Sequence, residues 1–563
     1  MAMFHPFRVL SFLSLTLSLD ASVHGPFVQW STAPESEASV RWVETSGGSG
    51  SWTLGKSGFG YGDADDATVI REMEGRFAEV YVRRKIAVPG DLPEKAELVL
   101  LARYDDAFTL AIDGREAVRK NVRVVDGREQ VIQKHEANKW EEISLGKVEA
   151  GERIFSAVGF NDGLQSSDFT LDLKVVARWD GGEREIVGEG AEWEYLAGAK
   201  PTAGWRRQVG VEKKEDSDEL PELRVRVKGE TDWKLVEVER VPFAKSAHTV
   251  ASAELTGLPS GTDIELRLGD RDVVFRTAPS KAETLRFVTG GDMFHSRGLL
   301  DAMNARAGAE DPMFALLGGD LAYTNNQNVG RWFEWIDSWV ENARTPDGRQ
   351  VPMVVAIGNH EITGAGYRPN DAPGPEAADE FFSLFRMQEA GEARQAIDFE
   401  AGLSLVLLDS GHAATLASQT DWLEARLKER EKVKHLFVCY HRPAWGCGTK
   451  EDAVGIQKLW CPLFEKYQVD AVFENDHHVH SRSAPMFDGK VDTERGVPYL
   501  GAGAWGTKVR SIPANLKKVR PWMESAYAKN HLYAVTLEEE GWMAVAKEAD
   551  GEVFDRVERR WRR

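Results

Sequence analysis

Cysteine is scarce in this chain, with three among 563 residues, at positions 439, 447 and 461. None has zinc-finger spacing, and three cysteines allow at most one disulfide within the chain. Long apolar runs are scarce too. Beyond VLSFLSLTLSL (9–19), no stretch is long enough to cross a bilayer, and no membrane span is expected. A Walker-type glycine loop and a G-x-S-x-G elbow are both missing, which removes two common catalytic schemes. Positive charge is in deficit. The net charge of −20 opposes nucleic-acid binding, because such a surface repels a polyanion. What remains is a chain with 42% hydrophobic residues, enough to bury the cores of several globular domains.

Against these absences stands an ordered series of oxygen and nitrogen donors in the second half. The runs TLRFVTGG, PMFALLGG, VPMVVAIG, HLFVCY and VDAVFEN precede Asp292, Asp320, Asn359, His441 and Asp476 in turn. Each run is short, rich in strand-forming residues and bounded by Gly or Asn, as a buried strand is. Helical spacing appears between them, from Gly330 to Val340 and from Thr420 through Trp422, Leu423 and Leu427. Alternating strands and helices predict a largely parallel sheet, whose ligands gather beyond the carboxyl ends of the strands. Five distant loops are therefore expected to meet on one rim.

The residue types suit hydrolysis of a phosphate ester. Asp320 is able to bridge two cations, Asp292 and a Tyr323 phenolate are hard anionic donors, Asn359 offers a neutral oxygen, and His441 and His478 offer imidazole nitrogen. Two cations roughly 3.5–4 Å apart clamp the attacking and leaving oxygens and generate hydroxide near neutral pH. Any one cluster alone is ordinary turn chemistry; the ordered set carries the reading. The plainer alternative for Tyr323 is a buried tyrosine hydrogen-bonded to a neighbour. His295, His412 and His480 read as local hydrogen-bonding or rim residues, and Asp409, at the end of LSLVLLDS, as the cap of a turn near the site.

GDLAY (319–323), GNHE (358–361) and VCYHRP (438–443), with Asp292 upstream and VFENDHHVHSRS (472–483) downstream, resemble the calcineurin-like metallophosphoesterases. The tyrosine three residues after Asp320 resembles their purple acid phosphatase branch. The resemblance implies an αββα sandwich for the catalytic domain, spanning 280–563, with two metal ions. It assigns Asp292, Asp320, Tyr323 and His478 to the first, an iron. It assigns Asp320, Asn359, His441 and the residue at 476 to the second, which is manganese, iron, magnesium or zinc. His360 would face substrate and assist charge transfer to the leaving group, so that His360, Asp320 and His441 are the catalytic residues. The implied reaction is direct in-line attack of metal-bound hydroxide on a phosphomonoester.

Two places depart from the family pattern. Phe294 stands where Gly or His is usual, and His295 follows one place late, pointing off the metal face because alternate residues share a face in extended chain. The last motif reads Asn475-Asp476-His477-His478-Val479-His480 and admits two registers. One places Asp476 and His478 in the ligand slots, in line with the preceding strand and with Arg482; the other uses His478 and His480. A carboxylate at 476 makes the second site harder and favours manganese, magnesium or iron over zinc. With four anionic ligands, only a trivalent ion beside a divalent one leaves net positive charge, which predicts a trivalent ion beside a Tyr323 phenolate.

The first half of the chain is β-rich with frequent Gly turns and predicts two all-β sandwiches. GPFVQWSTAPESEASVRWVET (25–45) and AELTGLPSGTDIELRLGDRDVVFRTAP (253–279) resemble opposite ends of a fibronectin III-like domain, expected over 24–45 plus 200–279. Between them, 46–199 resembles an inserted jelly-roll module of the galactose-binding type, with the acidic segments GFGYGDADD (58–66) and ARYDDAFTLAIDGREAVRKN (102–121) read as turns rather than calcium sites. EKKEDSDE (212–219) reads as a solvated loop. Arg8 and the apolar run after it predict a signal peptide over 1–23 and a secreted or periplasmic protein, the alternative being a buried first strand. Export permits a Cys447–Cys461 disulfide. GAGYRPNDAPGPEAAD (364–379) reads as a loop at the mouth of the site.

The function expected is thus a secreted acid phosphatase-like enzyme with a small phosphoester substrate. The alternatives are a phosphodiesterase or nucleotidase of the same fold, or a protein that binds carbohydrate or a cell surface through its insert and whose phosphatase site is impaired by Phe294 and Asp476.

Overall fold

The computed structural model describes residues 23–561, apart from 45–51, 63–65, 71–72, 74–76, 126–127, 164–165, 198–200, 202–203, 210–219 and the single positions 167, 208, 245, 247 and 328. The expected signal peptide, apart from Val23, and the charge-dense 212–219 loop lie outside the described residues.

Three parallel strands, Leu285–Gly290, Phe314–Leu317 and Met353–Val355, form the centre of a ten-stranded sheet. Their residues are apolar on both faces, as a strand covered on both sides requires. Antiparallel strands Leu532–Leu537, Gly541–Lys547 and Val553–Arg560 extend the sheet on one side. A second, seven-stranded sheet has its own parallel centre, Leu403–Leu407, His435–Cys439, Ala471–Glu474 and Tyr499–Ala502. The two sheets share one core, in which the Phe287 ring lies 5.9 Å from both Phe437 and Phe473.

Helices cover the outer faces. In Val329–Asn342, residues Trp332, Trp335, Ile336, Trp339 and Val340 recur at helical spacing and bury against the first sheet. Burying these side chains contributes about 1.5–3 kcal/mol apiece, so truncating one tryptophan there costs a few kcal/mol. Leu416–Glu429 begins at Thr415, whose hydroxyl accepts the Ser418 N–H, and it buries Leu416, Leu423 and Leu427 against the second sheet. The order of layers is helix, sheet, sheet, helix. The sequence foresaw a largely parallel sheet. The molecule instead has two mixed sheets, because antiparallel strands close each parallel centre at its margins.

The first half packs as two sheet pairs. Val23–Gln29 pairs with Ala38–Glu44, which in turn pairs with Thr249–Leu255 across more than two hundred residues. Facing them, Leu223–Val227, Asp263–Leu268 and Arg271–Arg276 form a separate sheet whose Leu223, Ile264, Leu266 and Phe275 enter the same core. Between these segments, strands from Thr53 to Ala197 build two six-membered sheets around a core of their own. One feature was not visible in the sequence: Gln29 pairs in parallel with Met353, and the Trp30 N–H donates to the Met353 carbonyl at 2.9 Å. The N-terminal strands thereby continue the ten-stranded sheet that carries the donor loops. Cys439, Cys447 and Cys461 are all buried and free. The Cys447–Cys461 disulfide that export would permit is not formed, since Cys461 sits in the helical core beneath the second sheet while Cys447 packs with Val479 and Met523. No described helix is long and apolar enough to cross a membrane.

Candidate metal centre

Each donor sits a few residues beyond the carboxyl end of a parallel strand: Asp292, Asp320 and Asn359 on the first sheet, His441 and Asp476 on the second. The turns that carry them are sharp. Asp292, Asp320, Tyr323, Asp476 and His478 all have φ between +53° and +62°, the left-handed region that costs a side-chain-bearing residue energy and clusters at functional sites. A ladder between loops holds them there. Asp292 N–H donates to the Gly319 carbonyl, Met293 N–H to the Asp320 carbonyl, and Asn475 N–H to the His441 carbonyl. Such close approach needs glycine: a Cβ on Gly318 would lie 2.0 Å from Asn475 Nδ2, and one on Gly503 2.5 Å from the Asn475 backbone.

Asp292, Asp320, His441 and Asp476 are buried, and one donor atom from each lies within 4.8 Å of the others. His441 Nε2 is 3.3 Å from Asp320 Oδ2 and 3.7 Å from Asp476 Oδ1. Three buried atoms in this group, Asp320 Oδ2, His441 Nε2 and Asp476 Oδ2, have no hydrogen-bond partner. Buried polar atoms left without a partner call for an explanation, an ion or a water among them, and here carboxylate and imidazole atoms converge as cation ligands do. His441 Nδ1 lies 2.9 Å from the Gly318 carbonyl and donates to it, which turns Nε2 toward the carboxylates. Fixing a histidine tautomer through its outer nitrogen is how proteins orient metal ligands.

A second group adjoins. Tyr323 Oη donates to Asp292 Oδ1 at 3.1 Å and lies 3.3 Å from His478 Nε2, which is itself 3.0 Å from Asp292 Oδ1. Thr507 contacts both Tyr323 and His478. The Asp292 carboxylate also accepts the Asp476 N–H at 2.7 Å, so one group braces the other. Asn359 opens the short helical turn Asn359–Glu361 and is half-buried. His360 Nδ1 is 2.6 Å from Asn325 Oδ1, and its Nε2 faces Asp320 Oδ2 at 3.9 Å.

Electrostatics follow from gathering carboxylates in a dry place. Burial alone would lower the His441 pKa, but Asp320, Asp292 and Asp476 outweigh it and raise it to about 10. Burial would raise Asp476, yet His441 and Lys450 hold it at about 2. Burial, with Asp292 and Asp320, pushes the Tyr323 hydroxyl well above its usual range. Burial and Asp320 push Glu361 upward, against the Leu321 and Gly358 N–H groups that favour its ionised form. The cluster demands positive charge, and its hard oxygen-rich donor set fits divalent or trivalent cations.

Of the seven expected ligands, Asp292, Asp320, His441 and Asp476 form the buried group, Tyr323 and His478 adjoin it, and Asn359 stands in the turn beside His360. His480 does not: its Nε2 bonds Tyr533 Oη at 2.7 Å and Asp555 at 3.2 Å. Of the two registers, geometry brings Asp476 and His478 to the cluster. His295 is exposed, while Phe294 is buried under the Arg331 guanidinium. Asp409 accepts the N–H groups of Gly411, His412, Ala413 and Ala414, capping the turn that brings the buried His412 ring 5.6 Å from His441. His412 also lines a cavity of about 360 Å³ with Thr363, Arg368 and Glu376 from the 364–379 loop and its approach. Sequence reasoning missed Asn325, Glu361, Thr507 and Lys450. Glu361 stood inside the GNHE motif; the others carried no sequence signal.

Residues 286–479 match the family described as calcineurin-like phosphoesterase. Uncharacterized proteins from two strains of Mycobacterium tuberculosis are 27% identical over 296 residues, covering 43% of this chain and 53% of theirs. The chain thus spans about half the length of these relatives. Among solved structures, the purple acid phosphatase PPD1 from yellow lupin (Lupinus luteus) seeds is similar with a TM-score of 0.51 at 14% identity, over 84% of this chain and 95% of that one. The structure of PhoD has a TM-score of 0.46 at 11% identity, over 61% and 82%. The likeness to the lupin protein is one of fold.

Proposed function

We propose that the chain is a dinuclear metal-dependent phosphoester hydrolase acting on phosphomonoesters. The observation that carries the reading is the convergence of Asp320 Oδ2, His441 Nε2 and Asp476 Oδ2, three buried atoms with no hydrogen-bond partner among the described residues, at the ends of strands from two sheets. Asp292, Asp320, Tyr323 and His478 would hold one cation, an iron, and Asp320, Asn359, His441 and Asp476 the other, a manganese, iron, magnesium or zinc ion. Bound there, two cations supply Lewis-acid polarisation of a phosphoryl group and acidify a nucleophilic water.

The protein's own part is orientation and charge. Asp320, accepting the His360 N–H at 2.7 Å, sets the distance between the two donor groups. His360, tied to Asn325 and packed with its ring 4.3 Å from that of Tyr323, keeps its Nε2 toward the rim, where it serves the leaving-group oxygen. Left-handed turns and bracing hydrogen bonds fix the donors before substrate arrives, so little reorganisation is needed during reaction.

The experiment is turnover of a generic aryl phosphate by the full chain, with metal content measured on the same sample. Two metals per chain and hydrolysis that a chelator abolishes support the reading. A metal-free protein that stays inactive after supplementation with iron and manganese sinks it.

In the same reading, 24–45 with 200–279 is a fibronectin III-like sandwich interrupted by a jelly-roll insert over 46–199. The support is the pairing of Ala38–Glu44 with Thr249–Leu255 on either side of the insert. Export rests on the apolar run at 9–19, and N-terminal sequencing of the mature protein tests it.

A further inference from the structure

Asp476 differs from the other buried carboxylates of the centre in having protein cations of its own. Lys450 Nζ donates to Asp476 Oδ1, and Arg442 Nη1 stands 3.7 Å from Asp476 Oδ2. Among the described residues, Asp292 and Asp320 face only histidines and N–H or O–H donors. A lysine ammonium is a compact point charge on a flexible stem, and here it reaches the same carboxylate that the second cation needs.

The backbone that carries the lysine is held to the loop bearing Asp476: Thr449 Oγ1 donates to the His477 carbonyl at 3.0 Å. Within the lysine's own loop, Gly446 N–H donates to Asp452 Oδ1 at 3.1 Å. The His477 ring packs so tightly beneath this segment that a Cβ on Gly446 would lie 2.0 Å from its Cε1. Both nitrogens of that buried ring lack a partner, which makes His477 a spacer that seats the 446–452 loop. Lys450 is only partly buried, its side chain 22% exposed, so its head is free to yield or keep its place while the backbone stays fixed.

Building on the dinuclear reading above, we propose that Lys450 is a tethered cation that competes with the second metal ion for Asp476, making that site the weaker and more readily emptied of the two. A fixed ammonium beside a carboxylate ligand both occupies a lone pair and repels an incoming cation. Asp292 and Asp320 have no such competitor, so the first site is spared. Occupancy of the second site then follows metal supply, and the chain carries a metal-dependent on–off control within one side-chain pair.

The test is a calorimetric titration of chelator-stripped full-length protein with Mn²⁺, comparing wild type, Lys450→Met and Lys450→Arg. The expected result is two binding events in wild type, with the weaker one tightened about 10–100-fold in Lys450→Met, the range in which groups behind metal ligands act. The tighter event should be unchanged, and Lys450→Arg, which keeps the charge, should stay near wild type. An unchanged or weakened second event in Lys450→Met overturns the proposal while leaving the dinuclear reading intact. A single binding event in wild type and both variants removes the dinuclear reading itself, and the proposal with it.

Discussion

Glu361 holds Asp320 by its backbone: the carboxylate Oε2 accepts the Asp320 N–H at 2.8 Å and the Gly358 N–H at 2.7 Å, while Oε1 accepts the Leu321 N–H at 2.8 Å. One buried side chain therefore ties together the two loops that carry Asp320 and Asn359. Glu361→Gln is nearly isosteric but points an NH₂ donor at N–H donors, leaving at least one of them unsatisfied. The cost expected is about 1–3 kcal/mol of stability, together with a 10–100-fold loss of metal affinity. Denaturant unfolding and metal titration of the variant check both. Wild-type metal affinity in Glu361→Gln would show that the loops hold their positions without it.

His441 and Asn359 follow strands of different sheets, so in the dinuclear reading proposed above removing either should empty the second site without unfolding the chain. His441→Ala and Asn359→Ala are expected to lower kcat/KM by at least about a hundredfold, consistent with the loss of a group that stabilises developing charge. Metal also reports on this through stability. A ligand bound only by the folded state stabilises it by about 2.7 kcal/mol at a hundred times its Kd, so Mn²⁺ should raise the wild-type Tm and raise that of His441→Ala much less. Equal shifts in the two proteins would place the ion elsewhere.

Much of this rim was legible because strand ends and glycines punctuate it. The five runs before Asp292, Asp320, Asn359, His441 and Asp476 each became a buried strand, and the periodic segments around Trp335 and Leu423 became helices. Local pattern suffices where a segment is buried on both faces or along one stripe. It fails where the partner is distant. Nothing near Gln29 predicts its pairing with Met353, nothing in GCGTK predicts that Lys450 meets Asp476, and the spacing of Cys447 and Cys461 suggested a bond that the packing does not make. The register at 476–480 fell between these cases. The chain offered both, and burial of His480 against Tyr533 and Asp555 separates them.

Asp476 occupies a position where an imidazole is usual in the family the motifs resemble, and that exchange should be reversible. Its φ of +62° suits Asp, Asn or His better than other side chains, so Asp476→His is expected to fold. Replacing carboxylate by imidazole softens the second site and should shift reactivation of the stripped protein from manganese toward zinc. The measurement is the ratio of activities recovered with each metal. A ratio identical to wild type would mean that Asp476 does not touch the second ion.

Tyr323 is held protonated in the cation-free protein, since burial and the neighbouring Asp292 and Asp320 push its hydroxyl well above the usual range. Only a strongly Lewis-acidic cation should displace that proton. Loading with ferric ion is therefore expected to produce a visible phenolate-to-metal absorption band, and manganese alone should not. Tyr323→Phe should abolish the band and keep the fold, because the ring retains its packing against His360. A ferric-loaded wild type with no visible band would leave Tyr323 as a hydrogen-bonding residue only.

Asp555 offers a test that is independent of metal. Its carboxylate accepts from Arg482 Nε at 2.8 Å, Arg482 Nη2 at 3.0 Å and Ser525 Oγ at 2.9 Å, and it lies 3.2 Å from His480 Nε2. These contacts pin the edge strand Val553–Arg560 of the first sheet to the strands His480–Ser483 and Met523–Tyr527 of the second. Burial pushes its pKa upward, but the bonds from His480 and Arg482 prevail and hold it well below the usual carboxylate range. For a carboxylate depressed on folding, the stabilisation is present above the unfolded value near 4 and is lost as pH falls toward the folded one. Asp555→Asn should therefore be less stable than wild type by about 2–3 kcal/mol at pH 7, since it leaves a partly buried arginine short of its partner. That gap should persist at pH 5 and narrow steadily below pH 4. Urea unfolding of both chelated proteins at pH 7, 5 and 3 measures it, and a gap that does not change with pH would mean that the aspartate contributes shape rather than charge.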